Sequence, residues 1–204
     1  NIMKKYILTD KKKKKAEFNA IIKENIGNPT SIIDVSCGND KYVFDLAREQ
    51  SINLVVGNDI SWSQIDLLNK KYQEVIFTNH NAASLPFINK VFDVAYCSNT
   101  LHHMPNKKIL INLLNSMDKI AKKIIIVEIE NPDITGGFSK ILNKYWYMKY
   151  LKDVGGTYLS EQQFKLIINN TFLKNHNIKF QTFDNIMGRY MIATVEEKEA
   201  NENE

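Results

Sequence analysis

Cysteine, proline and long apolar runs are scarce in this chain. Cys37 and Cys97 are the only cysteines among 204 residues, which excludes a disulfide framework and any metal site of the Cys-x-x-Cys kind. Two reduced, buried thiols are expected instead. The longest apolar runs, such as Ile124–Val127, are strand-sized, so no stable membrane insertion is expected. The N-terminal lysines have no apolar stretch behind them, so no secretory signal is read and the cytoplasm is the expected compartment. A G-x-G-x-x-G turn is also missing, and with it the fingerprint of a nicotinamide-dependent oxidoreductase.

What is present describes an ordinary soluble domain, 44% hydrophobic and 25% charged. A chain of this length buries roughly 70% of its unfolded surface, enough for one good-sized core. Residues 1–195 are read as a single domain and 196–204 as an acidic, disordered tail, since that stretch holds five acids, one lysine and no aliphatic residue larger than alanine. The tail leaves 26 bases against 18 acids in the body, although the whole chain is only +4. Such a body attracts RNA, anionic headgroups or an acidic small molecule, or is simply a solvated surface.

Apolar spacing predicts a helix over 10–26, closed by Gly27-Asn28-Pro29. Strand and helix patterns then alternate through 32–36, 41–50, 53–58, 61–72, 74–78, 92–97, 106–120 and 123–130, as a parallel sheet with helices on both faces requires. Ser61-x-x-Gln64 and Ser160-x-x-Gln163 both read as capping boxes. Trp62, Ile65, Leu68 and Tyr72 form one stripe of the first of these helices, and Phe164, Ile167, Ile168 and Phe172 the inner stripe of the second. Strands over 177–183 and 189–195 look like a closing hairpin. Between 133 and 158 the alternation is broken by a segment rich in aromatics and lysine. Its apolar positions Ile141, Tyr145 and Met148, with Leu142 and Trp146 beside them, suit a helix that packs on the sheet edge, covers a pocket or lies on a membrane surface. Gly136-Gly137 and Gly155-Gly156 bracket it as possible hinges.

Four stations carry chemistry. The apolar strand Ile32–Val35 breaks at Asp34-x-Ser36-Cys37-Gly38-x-Asp40 and feeds a helix, which brings backbone N–H groups and a helix N-terminus to a ligand. Asp59 ends the next apolar run, where a carboxylate accepts ribose hydroxyls. Asn81-Ala-Ala-Ser-Leu-Pro-Phe87 follows, and then Phe92-Asp-Val-Ala-Tyr-Cys-Ser98-Asn-Thr-Leu-His102-His103. In this order they resemble the class I S-adenosylmethionine (SAM)-dependent methyltransferases, in the branch acting on small molecules. The resemblance runs from about Ile32 to Asn131. It implies a doubly wound, mostly parallel seven-stranded sheet with an antiparallel last strand, helices on both faces and a helical lid inserted after the fifth strand. It also places Cys37 and Cys97 at the ends of adjacent strands, near each other under the cofactor.

That resemblance implies cofactor contacts from Asp34, Ser36, Cys37, Gly38, Asp59, Ile60, Asn81, Ala82 and Ser98. Ser36 and Asp40 stand where the family has glycine. Serine is tolerated if its φ stays negative, and Asp40 can cap the following helix. Asn81 replaces the usual aspartate but keeps an acceptor oxygen for an adenine amino group. His102 and His103 are the candidate acid–base residues, histidine being suited to proton transfer near neutrality, though one of them can equally serve to tie down its loop. Tyr6, Tyr145 and Trp146 are candidate substrate contacts. No metal is expected, because no carboxylate cluster marks a metal-dependent site. Ser98-Asn-Thr-Leu101 lacks the Asn/Asp-Pro-Pro-Tyr box of amide- and exocyclic-nitrogen methylation. The leading expectation is SAM-dependent methylation of a small-molecule acceptor, releasing S-adenosylhomocysteine (SAH). RNA methylation and a non-catalytic SAM-binding or partner-binding module are the alternatives.

Overall fold

The computed structural model describes residues 2–131, 157–172, 174–185 and 188–198, with side chains from residue 12 onward except at 185. Helix α1 (Ile2–Ile26) leads into β1 (Ser31–Asp34), α2 (Tyr42–Gln50), β2 (Leu54–Asn58), α3 (Trp62–Asn69) and β3 (Ile76–Thr78). Strand β4 (Phe92–Ser98), α4 (Lys107–Ile120), β5 (Ala121–Ile129), α5 (Glu161–Phe172), β6 (His176–Asn185) and β7 (Gly188–Glu197) follow. The strands form one seven-stranded sheet in the order β3-β2-β1-β4-β5-β7-β6. The first five are parallel, and β7 lies antiparallel between β5 and β6.

Successive strand residues point to opposite faces, and the core divides accordingly. Ile32, Val55, Val94 and Ile125 pack with Ile22, Phe44 and Leu68 of α1, α2 and α3. Ile33, Val56, Ala95 and Ile124 pack with Leu113, Met117, Phe164 and Ile168 of α4 and α5. Cys37 belongs to the first cluster and Cys97 to the second, which corrects the expectation that they lie together. Both are free and buried, and burial pushes both thiols well up from their ordinary range.

Three features depart from the sequence pattern. Helix α1 begins at Ile2 and not at Asp10; among its described side chains Phe18, Ile21, Ile22 and Ile26 turn inward, while Ala16 and Ala20 are exposed. Buried Asn25 fastens it, donating to Gln181 Oε1 (2.8 Å) and accepting from Thr194 Oγ1 (3.0 Å). Trp62 is 66% exposed, so the inner stripe of its helix holds Ile65 and Leu68 without it, and buried Tyr72 lies beyond the helix, which ends at Asn69. The expected tail begins two residues too early: β7 continues through Glu197, and Glu196 pairs with Lys123 (2.7 Å) and Glu197 with Lys90 (2.5 Å). The lid insertion, with Tyr145, Trp146 and both glycine pairs, lies outside the described residues, as do the side chain of Tyr6 and residues 199–204. Among the described residues no helix is long and apolar enough to cross a membrane.

Gly57 sits in β2 against two rings. A Cβ there would lie 2.6 Å from Phe77 and 2.8 Å from Phe44. Those rings meet edge-on at 5.4 Å, and Phe44 also packs on Tyr72 at 5.3 Å. The glycine is what lets the aromatic cluster approach the sheet. At the amino end of β4, the Asp93 carboxylate accepts from the Thr30 hydroxyl (2.7 Å), Thr30 N–H (2.9 Å) and Ser31 N–H (3.1 Å), and pairs with Lys122 (2.9 Å). The Thr30 hydroxyl and then Lys122 hold its carboxyl well below the usual carboxylate range.

Gly57→Ala is expected to cost about 1–3 kcal/mol through overpacking, read as a lower urea midpoint. Phe77→Leu in the same chain should recover part of it. For Asp93 the folded pKa is the lower one, so its stabilisation is present above the unfolded value, near ~3.9, and is lost as pH falls toward the folded value. Asp93→Asn should therefore cost about 1.5–3 kcal/mol at pH 7, and the gap to the parent should close in denaturation curves recorded below about pH 4.

Candidate functional site

The four stations gather at the carboxyl edge of the parallel strands. Strand β1 has β2 on one side and β4 on the other, the point where strand order reverses and a crevice opens. The turn after β1 is pinned by Val35 N–H donating to Tyr96 O, Cys37 N–H to Asn58 O and Asp40 N–H to Cys37 O, each at 2.9 Å. Gly38 has φ +50°, a left-handed conformation that glycine adopts freely. A Cβ at Gly38 would meet nothing within 4 Å, so the space before the turn is open. Ser36 keeps a negative φ, and Asp40 Oδ1 accepts from Tyr42 N–H (3.0 Å) at the start of α2. Both substitutions for glycine are thus accommodated.

Asp59 joins two stations directly. Its Oδ2 accepts from Gly38 N–H and its Oδ1 from Ser61 N–H, both at 2.8 Å. This corrects the first capping box. Ser61 has no side-chain cap bond, its hydroxyl meets Ser63 Oγ, and Gln64 Oε1 is buried without a hydrogen-bond partner, because the N–H that Gln64 would have taken belongs to Asp59. Ile60, next along, is 73% exposed. The second box forms as expected, with Gln163 N–H donating to Ser160 Oγ (3.2 Å) and Ser160 N–H to Gln163 Oε1 (2.9 Å).

Sequence reasoning did not single out Asn58, which is fully buried. Its amide donates to Val35 O (2.9 Å) and His80 O (3.1 Å), and its Oδ1 accepts from Thr78 Oγ1 and His80 N–H, both at 3.0 Å. One side chain knits the ends of β1, β2 and β3. The available signal was an amide closing an apolar run just before the acid.

Asp34 is 2% exposed, and its Oδ1 has no hydrogen-bond partner. Burial first, then the charges of Asp40 and Asp59, raise its carboxyl well above the ordinary range, against the opposing pull of the Ser36 amide. Cys37 lies in the same field, so its thiol is not a nucleophile at neutral pH. Asn81 is exposed and caps the turn Ala82–Ser84 by accepting from Ala83 N–H (2.9 Å). Ala82 is buried in the core and Leu85 N–H donates to Ser116 Oγ (2.9 Å), so this loop is seated on α4.

At the end of β4 Ser98 is half-buried, and Asn99 after it adopts φ +49°. His102 is enclosed, its side chain only 2% exposed. Its Nδ1 lies 2.6 Å from Glu128 Oε1, Tyr158 stacks on the ring at 4.8 Å, and the ring of His103 lies 4.1 Å away. Glu128, fully buried in β5, also accepts from Leu101 N–H (2.7 Å) and Ile129 N–H (2.9 Å). The two candidate acid–base residues therefore divide: His102 is embedded in the wall and ties down the loop, and His103 is exposed. Glu128 was missed, although a lone acid inside the apolar run Ile124–Ile129 is itself a signal.

Residues 33–123 match the family described as a methyltransferase domain. The chain is 25% identical over 122 residues to an O-methyltransferase of Aspergillus nomiae, covering 54% of each chain. It is 27% identical over 136 residues to the demethylmenaquinone methyltransferase of Anoxybacillus flavithermus, covering 62% of this chain and 55% of that one. It thus spans about half the length of these curated relatives. Among solved structures, the plantazolicin methyltransferase BpumL in complex with SAH superposes with a TM-score of 0.68 at 15% identity, over 89% of this chain and 81% of that one, a likeness of fold. The matched segment contains both acids of the crevice and the glycine turn between them, and in that segment and in its fold the chain resembles the class I, seven-stranded SAM-dependent methyltransferases.

Proposed function

We propose that this protein transfers a methyl group from SAM to an oxygen, nitrogen or carbon of a small-molecule acceptor in the cytoplasm, releasing SAH. The observation that carries this is the bridge from Asp59 to the Gly38 amide, which holds a carboxylate at the mouth of an open glycine turn. Each Asp59 oxygen has already accepted one N–H and keeps a second lone pair, so the carboxylate receives two ribose hydroxyls without giving up the turn. The orphaned Asp34 Oδ1 suits the ammonium of the amino-acid end. Exposed Ile60 offers an apolar face to the adenine, and the Asn81 carbonyl retains a lone pair for its amino group. The names of the curated relatives, an O-methyltransferase and a demethylmenaquinone methyltransferase, support an organic small molecule as acceptor.

SAM, when bound, supplies a methyl group on a sulfonium. Its transfer is an in-line displacement that needs no covalent protein nucleophile, so the chain's task is positioning, an effect worth up to about 7–11 kcal/mol. We assign that task in part to His102, which with Glu128 and Tyr158 fixes the loop after β4. Where the acceptor must lose a proton, exposed His103 is the group placed to take it.

Calorimetric titration with SAM and SAH should show micromolar binding by the intact protein. Asp59→Ala should weaken it at least tenfold, about 1.4 kcal/mol, and Asp59→Asn less. No binding by the intact chain would defeat the proposal. Asp34 supplies a second test. An acid whose folded pKa is raised lowers stability as pH climbs above its unfolded value, so at pH 7 burial of Asp34 opposes folding of the free protein. Asp34→Asn should raise the melting temperature without ligand by a few degrees, on the order of 1 kcal/mol, while shrinking the shift that SAH produces.

A further inference from the structure

A cavity of about 310 Å³ opens between the start of α4 and helix α5, on the α4/α5 face of the sheet. Met104, Leu110, Leu159, Leu166 and Ile167 make its walls apolar. The volume is at the low end of small-molecule sites, which run roughly 300–1,000 Å³. The cavity is joined to the loop after β4 in two ways. Met104 follows His103 in the chain, and Thr157, another wall residue, donates its N–H to the carbonyl of His102 at 3.1 Å.

Its rim is cationic. Lys107 lines the cavity at the first position of α4, and Asn106 caps that helix by accepting from Ile109 N–H (3.0 Å). The N–H groups of the first turn are the positive end of the helix and have no partner within it. Among the described residues neither Lys107 nor Lys108 forms an ion pair. An apolar chamber with one unpaired cation at its lip favours a ligand whose body is apolar and whose edge carries one negative charge. We infer that this cavity receives the methyl acceptor, and that the acceptor is a ring-sized apolar molecule bearing a single anionic group held at Lys107. The inference rests on the methyltransferase proposal and adds the acceptor's chemistry to it.

The test uses the intact chain and 8-anilinonaphthalene-1-sulfonate, an apolar bicyclic body with one sulfonate, followed by its fluorescence. N-phenyl-1-naphthylamine, the same body without the charge, is the control. Lys107→Glu should weaken the anionic probe roughly tenfold and leave the neutral one unchanged. Leu166→Asp, which alters a cavity wall residue that is already exposed, should weaken both. Binding of the anionic probe must persist with SAH saturating, since acceptor and cofactor have to be held together. Displacement of the probe by SAH, or anionic-probe binding that neither substitution changes, overturns the inference. So does probe binding that falls as protein concentration rises, the sign of a second copy filling the cavity. Calorimetry with SAH on the same samples separates the two claims: SAH binding within twofold of the parent in both variants keeps the methyltransferase proposal standing even where the probe results defeat the cavity.

Discussion

The carboxylate of Asp59 holds the crevice in shape. Without it the Gly38 amide and the Ser61 amide would each face the cleft unpaired, and the glycine turn would have no tie to the end of β2. A hydrogen bond to a charged acceptor contributes about 1.5–3 kcal/mol, so this one residue fixes the relative position of two loops that secondary structure leaves independent. Asn58 does the complementary work one residue earlier and from inside, since its four bonds reach β1, β3 and the loop beyond β3. The outward acid and the inward amide together set the carboxyl edge of the sheet.

A second tie lies across the sheet at β5. Glu128 collects the Leu101 amide, the Ile129 amide and the His102 ring, so the loop after β4 is fastened to the neighbouring strand. The carbonyl of His102 then takes the Thr157 amide, which brings the chain leading into α5 onto the same loop. Burying an acid and a histidine costs free energy unless each is paired and hydrogen-bonded, and here both are. Removing either would leave the other enclosed, so the pair acts as one structural unit that reaches from the sheet to the cavity wall.

Much of this was legible in the sequence. Alternating apolar periods gave the parallel sheet and its helices, because burial on two faces leaves a pattern that does not depend on partners distant in the chain. The spacing of Asp34, Gly38 and Asp59 gave the crevice for a related reason, since a tight turn and a strand-end acid are local requirements. What escaped was decided by pairs. Ser61-x-x-Gln64 and Ser160-x-x-Gln163 are the same motif, yet only the second closes, because at the first an acid two residues upstream has claimed the amide. Glu196 and Glu197 look like tail by composition, and become strand because they pair with Asn177 and His176 of β6, with Lys123 and Lys90 in reach of their carboxylates. Which of His102 and His103 ties down the loop was left open, because nothing near His102 in sequence shows that Glu128 will pair with it.

The buried polar groups also separate scaffold from ligand site. Asn58, Glu128 and Asn25 lie in the interior with hydrogen-bond partners on neighbouring elements, as buried polar groups in native proteins do in the great majority of cases. Asp34 does not: one oxygen is orphaned, burial and then two further acids raise its carboxyl, and the turn beside it opens into empty space. An arrangement that opposes folding of the free chain persists when the same group serves the bound state. A cationic donor entering over Gly38 would satisfy the orphaned oxygen and offset the repulsion among the three carboxylates in one step. The polarity of the crevice therefore argues for a positively charged ligand group at the end of β1, independently of any likeness to other proteins.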